Sequence, residues 1–149
     1  MAAERGDGYD RLVGRWERGR HLEAFADRSH AYFIAEYAED GEPLGFVLFR
    51  FWNAPERVAL VRRVVVVTPG LGHGRAMLAA AVERAFLETD AYRLQIGLFP
   101  DNVRARRAYE AVGFRAEGIS RGSAFFGGAF RDELVMALLR PEWEARRKD

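Results

Sequence analysis

The sequence predicts an α/β fold: one domain built on a mixed, mostly antiparallel sheet with helices packed against it. Three observations lead there. A chain of 149 residues with 49% hydrophobic content has the size of one domain and buries roughly 70% of its unfolded surface, leaving no room for a second. Strand and helix patterns alternate through the middle of the chain, from Val58 to Val112, as they do in layered α/β domains. Hairpin-like pairs of β-rich runs flank that stretch on both sides.

Residues 1–9 are polar and glycine-containing and are expected to be loose. Leu12, Trp16, Leu22, Phe25 and Ala26 then recur at helical spacing from Asp10 to about Asp27, with Gly19 as a point of division. Tyr32–Tyr37 and Leu44–Phe51, separated by the turn residues Asp40-Gly41, read as an antiparallel hairpin. Asn53, Ala54 and Pro55 break the pattern, and Val58–Val67 (VALVRRVVVV) follows as a long, largely apolar strand at the centre of the sheet. After a glycine-rich loop from Pro69 to Gly74, the residues Met77, Leu78, Ala81, Val82, Ala85 and Phe86 mark one face of a helix from Ala76 to Leu87. A strand over Arg93–Phe99 comes next. A helix over Asn102–Val112 follows, closed by Gly113, because a left-handed cap is easiest for glycine. Two strands, near Phe114–Ser120 and Leu134–Leu139, flank a glycine-rich connection, and the terminal EARRKD reads as a solvated charged tail. No repeat or internal linker is visible.

Composition narrows the chemistry. The 22 acidic and 23 basic residues nearly cancel, so nothing pulls the chain as a whole toward nucleic acid or an anionic membrane, and any polyanion must be held locally. No run reaches the ~18 apolar residues of a membrane span, and the start lacks a secretory signal, so the expectation is a cytoplasmic protein without a membrane partner. Without a cysteine there is no disulfide, thiolate ligand or cysteine nucleophile, and His21, His30 and His73 show no metal-ligand spacing, so no metal is expected.

The loop Gly70-Leu71-Gly72-His73-Gly74-Arg75, between a strand and a helix, places backbone N–H groups at a positive helix end, a geometry that suits phosphate oxygens. Its glycines equally suit a tight strand-to-helix turn. It is not a nucleoside-triphosphate loop, because Gly74 is followed by Arg75-Ala76 rather than Lys and a hydroxyl residue. It is a poor dinucleotide fingerprint, since Arg75 stands where GxGxxG needs its third glycine and the preceding chain is a hairpin.

About 30 residues on, Asn102, Ala105, Tyr109, Glu110, Gly113 and Phe114 form an NxxAxxxYExxGF helix. Together with the PGxGxGR loop, it resembles the GNAT superfamily of N-acetyltransferases. The likeness runs from about Tyr32 to Trp143, and the closing MALLRPEW is similar to the branch of ribosomal-protein N-terminal and small-amine acetyltransferases. The resemblance implies a sheet splayed at its central strands with helices on both faces, and acetyl-CoA as cosubstrate. The backbone of Val65, Val66 and Val67 would pair with the pantetheine arm. The amides of Leu71, Gly72, His73, Gly74 and Arg75 would take the pyrophosphate. Asn102 would touch the pantetheine or cap its helix. Tyr109 would protonate the departing thiolate, if it is not simply an aromatic core residue. Arg104, Arg106 and Arg107 are candidates for the ribose phosphate, and His73 is otherwise a solvent-facing filler of the loop.

The implied reaction is direct attack on the thioester by a primary amine, on a small molecule or a peptide N-terminus. Many members of the family place a glutamate base on the central strand, but Ala59–Thr68 holds Arg62 and Arg63 and no carboxylate. Glu36, Asp132, Glu133 and a water relay all remain open as the base. A module that holds an acyl-CoA without turnover is the alternative to an enzyme. Pro69 stands where the family's loop usually begins with Arg or Gln. Phe125-Phe126-Gly127-Gly128 reads either as a mobile loop shaping the acceptor pocket or as a hairpin tip, and an exposed edge at the closing strands is compatible with a homodimer.

Overall fold

A computed structural model describes residues 29–148, apart from 38, 69 and 71. The two N-terminal helices expected between Asp10 and Asp27 lie outside the described residues, as does Leu71. Nine elements follow in order: β1 (Ala31–Glu36), β2 (Pro43–Arg50), β3 (Val58–Val66), α1 (His73–Glu88), β4 (Arg93–Leu98), α2 (Val103–Val112), β5 (Arg115–Phe126), β6 (Ala129–Leu139) and α3 (Arg140–Arg147). The strands form one six-stranded sheet in the order β1-β2-β3-β4-β6-β5. Only the β3–β4 pair is parallel, as the connection through α1 between them requires.

The core is the seam between α1 and one face of the sheet. Met77, Leu78, Ala81, Val82, Ala85 and Phe86 are the buried stripe of α1. They meet Val47 and Phe49 of β2, Ala59 and Val61 of β3, Leu94, Ile96 and Leu98 of β4, and Leu134, Met136 and Leu138 of β6. Every second residue of β4 and of the inner part of β6 therefore points to the helices, which leaves Gly97, Glu133 and Val135 on the opposite face. Tyr109 and Val112 of α2 and Trp143 of α3 join the same helical layer. A smaller cluster of Phe46, Leu48 and Val65 is buried on the other face.

Three boundaries differ from the sequence reading. Helix α1 begins at His73 rather than Ala76, because Gly72 at φ 78° serves as a left-handed N-cap and starts the helix inside the glycine loop. Strands β5 and β6 run on to Phe126 and from Ala129, so most of the supposed glycine-rich connection is strand, and Gly127-Gly128 is the hairpin turn. Glu144–Arg147 of the charged tail are helical, forming the exposed second half of α3. Trp143 stacks on Phe86 with ring centroids 4.9 Å apart, and the Leu139 N–H donates to Glu142 Oε1 at 2.9 Å. One buried residue in an eight-residue helix gives no periodicity to read.

Candidate functional site

The site begins where a pairing stops. Strands β3 and β4 are in register from Val58↔Arg93 to Val61↔Ile96 and no further, although β3 continues to Val66 and β4 to Leu98. Beyond Val61 the strands part, and β3 stays paired to β2 alone, through Gly45↔Val66. Arg62 is an extra residue in β3, since Leu48 faces Arg63 and Phe49 faces Val61. Such a bulge adds local twist and shifts the phase of the strand, so Val61 and Val64 both face the helices. The N–H of Val67 donates to Leu44 at 2.9 Å. By antiparallel alternation the backbone groups of Val65 and Val67 are then turned to β2, and those of Val64 and Val66 are turned into the gap.

A cleft of about 260 Å³ occupies this gap, lined among others by Arg62, Arg63, Gly97, Asn102, Tyr109, Ser123 and Glu133. Tyr109 comes to it from the helical face, its ring 6.3 Å from Phe114. Desolvation pushes its phenol up to about 12, so at neutral pH it holds a proton that it can donate. Glu133 comes from the opposite face. Its Oε1 accepts a hydrogen bond from Ser123 Oγ at 2.8 Å, and its Oε2 lies 2.8 Å from where a Cβ on Gly97 would stand. Of the three carboxylates left open by the sequence, Glu36 is exposed on β1 at the far edge of the sheet. Asp132 accepts from the Gly122 N–H at 2.8 Å. Glu133 alone of the three lines the cleft.

Below the gap lies the glycine loop. Gly70 and Gly72 have φ 90° and 78°, which side chains rarely adopt. Gly74 is helical, and a Cβ there would stand 3.7 Å from Val66 Cγ1, so α1 starts close against β3. The first turn of α1 carries no acidic residue, which leaves its positive end available to an anion. Arg104 Nη1 lies 4.0 Å from a Cβ position on Gly70, placing a cation beside the loop. Arg106 instead pairs with Glu110 at 2.9 Å, and Arg107 is exposed. His73 is half-buried, its ring edge-on to Tyr37 at 5.5 Å and its Nδ1 3.4 Å from the Tyr37 hydroxyl on the exposed side of the loop. Asn102 is buried, and its side-chain oxygen accepts from the Ala105 N–H at 3.1 Å, so it caps α2. A splayed parallel pair over a bare, positive helix end fits a long ligand with a diphosphate at one end and a reactive group at the other. With a carboxylate and a neutral phenol across the gap, the arrangement suits acyl transfer from such a ligand.

Comparison with known proteins gives the same answer. The model of the acetyltransferase (GNAT) family matches residues 5–114. The chain is 27% identical over 143 residues to a probable N-acetyltransferase, YjcK, of Bacillus subtilis, covering 94% of this chain and 79% of that one. It is 28% identical over 125 residues to spermidine N(1)-acetyltransferase of Escherichia coli, covering 82% of this chain and 65% of that enzyme. Among solved structures, spermidine N-acetyltransferase from Vibrio cholerae, in complex with CoA and spermine, superposes with a TM-score of 0.73 at 23% identity, covering 87% and 79% of the two chains. Ribosomal-protein-S5-alanine acetyltransferase from Vibrio fischeri does so at 0.78 and 15%, covering 95% and 85%. The chain belongs to the GNAT family, and it is an acetyl-CoA-dependent N-acetyltransferase.

Proposed function

We propose that this enzyme acetylates a small primary amine that approaches from the Glu133 face of the sheet and attacks a thioester held in the gap between β3 and β4. One observation carries the reading: the β3–β4 pairing ends at Val61–Ile96, and the opening it leaves has Tyr109 on one face and Glu133 on the other. Acetyl-CoA supplies the acyl carbonyl and the thiol leaving group. The backbone of Val64 and Val66 is turned to bind its pantetheine arm, with Val65 and Val67 holding β3 to β2. The amides of Gly72, His73, Gly74 and Arg75 are placed for the pyrophosphate, Leu71 completes that loop in sequence, and Arg104 adds a charge. Asn102 orients α2 and so aims Tyr109.

Glu133 Oε2 takes a proton from the amine as the C–N bond forms. Tyr109 gives its proton to the sulfur as the C–S bond breaks; Glu133 then releases its proton to solvent and Tyr109 recovers one from it. A carboxylate at this place answers the cost of freeing the amine, which at pH 7 is roughly 1.4 kcal/mol for a pKa of about 8 and roughly 4.6 for one near 10.4. A small acceptor suits a cleft of about 260 Å³, and relatives of this chain act on spermidine. Among the described residues no helix is long and apolar enough to cross a membrane, which supports a cytoplasmic setting. The outer edge of β5, which no other described strand pairs, supports pairing with a second copy.

The test is thiol release from acetyl-CoA with a panel of spermidine, tyramine, alanine amide and an alanine-terminated hexapeptide. Turnover of a small amine ahead of the hexapeptide is expected. The hexapeptide ranking first would overturn the acceptor class, and no release with any amine would overturn the reading.

A further inference from the structure

Strands β5 and β6 pair regularly at Ala124↔Arg131 and beyond to the turn, and again at Ser120↔Glu133. Between those points Arg121, Gly122 and Ser123 stand opposite the single residue Asp132. This is a three-to-one bulge, and side chains fasten it where the ladder cannot. The Gly122 N–H, at φ 61°, donates to Asp132 Oδ1 at 2.8 Å. Ser123 Oγ lies 3.0 Å from the Ser120 carbonyl and 2.8 Å from Glu133 Oε1.

The bulge changes which side chains meet. Ser120 and Ser123 are three apart, so in a regular strand they would point to opposite faces. Both line the cleft, because the extra residues shift the phase. The hydroxyl of Ser123 has one hydrogen and two acceptors within reach, the Glu133 carboxylate and the Ser120 carbonyl. It can therefore bond the ionised carboxylate, and can turn to the carbonyl when the carboxyl is protonated. On the other side, Gly97 leaves the space that Glu133 Oε2 occupies, since a Cβ there would stand 2.8 Å away.

We propose that the Arg121–Ser123 bulge is a positioning device for Glu133: Asp132 fixes the bulge, Ser123 fixes Oε1, and the bare backbone of Gly97 lets Oε2 face the acceptor. The proposal rests on the reading of Glu133 as the base. Ser123, Asp132 and Gly97 act through that carboxylate and are positioning residues. A bulge serving only to twist the hairpin would require neither a Ser123 hydroxyl 2.8 Å from Glu133 Oε1 nor a residue without a Cβ beside Oε2.

The test compares Glu133→Gln, Ser123→Ala, Ser123→Thr, Asp132→Ala, Asp132→Asn and Gly97→Ala, using the amine that ranks first in the panel. Ser123→Ala and Asp132→Ala should each lower kcat about 10-fold, the worth of one well-placed hydrogen bond, and Gly97→Ala should do so to a similar extent by displacing Oε2. The KM for acetyl-CoA and its calorimetric Kd should stay at wild-type values. Ser123→Thr and Asp132→Asn keep a hydroxyl and an acceptor oxygen, and should restore most of the rate. Independently of turnover, the Gly122 amide should exchange slowly in wild type and Asp132→Asn, and rapidly in Asp132→Ala. Wild-type kcat in Ser123→Ala and Asp132→Ala, with Glu133→Gln impaired, would overturn the positioning device and leave the base standing. Wild-type kcat in Glu133→Gln would remove the base and the device together.

Discussion

The two faces of the gap are built by different means. On the helical face Tyr109 is delivered by α2, a regular helix capped by Asn102 and seated on the main core. On the other face Glu133 is delivered by a hairpin whose register breaks beside it, and it is held by a hydroxyl and a glycine. Apolar packing over many contacts fixes Tyr109, and a few polar contacts fix Glu133. The first is expensive to disturb and tolerant in detail, whereas the second is sensitive to single atoms.

The rim of the gap gives the largest effect with which to sharpen that contrast. A Cβ on Gly45 would stand 2.1 Å from the Val65 carbonyl oxygen and 2.9 Å from Val66 Cα. Both are backbone atoms with little freedom to move, so Gly45→Ala should cost about 3–5 kcal/mol in urea unfolding. Gly97→Ala meets only the end of the Glu133 side chain, so it should leave the unfolding midpoint nearly unchanged while slowing turnover. Equal destabilisation by the two would erase the difference between the faces.

Next come the two groups proposed to transfer protons. Tyr109→Phe and Glu133→Gln should each lower kcat by about 100-fold, or roughly 2.7 kcal/mol in the barrier, with acetyl-CoA affinity retained. Unchanged turnover would remove the affected residue from the mechanism.

Tyr109 also writes its burial into stability. Its folded pKa of about 12 lies above the ordinary 10, so the folded state binds that proton more tightly. The contribution is fully present below pH 10 and is lost as pH rises from about 10 through 12. Urea melts at pH 9 and pH 11.5 should show wild type losing about 2 kcal/mol more than Tyr109→Phe. Equal losses would place the phenol in water. The smallest effect belongs away from both faces: Glu88 pairs with Arg84 at 2.9 Å on the exposed side of α1, and Glu88→Gln should leave Tm within about 1 °C.

The same division governs what can be read from the sequence. The helical face was legible because periodicity announces it: the stripe from Met77 to Phe86, the long β3, and the Asn102–Phe114 helix all carry regular patterns. The glycine-rich turn from β3 into α1 was legible from its glycines, although its helix start was placed three residues late because Gly74 was read as loop. Helix α3 left no pattern, since a single tryptophan anchors it. That Glu133 lines the cleft, and Glu36 and Asp132 do not, could not be read, because it depends on a phase shift in β5 and contacts between residues ten apart. The one available signal was the pair of serines at odd spacing, Ser120 and Ser123, in a strand whose partner carries Asp132-Glu133. Val67 shows the same limit: that β3 borders the gap is a matter of pattern, but which of its amides face it depends on a hydrogen bond to Leu44.

Titration of the purified chain with acetyl-CoA by calorimetry puts the most direct question, whether the opening between β3 and β4 and the amides below it seat the thioester. Saturable heat at one molecule per chain, suppressed by prior saturation with CoA, is the predicted result. A folded protein that takes up neither molecule at millimolar concentration would contradict it.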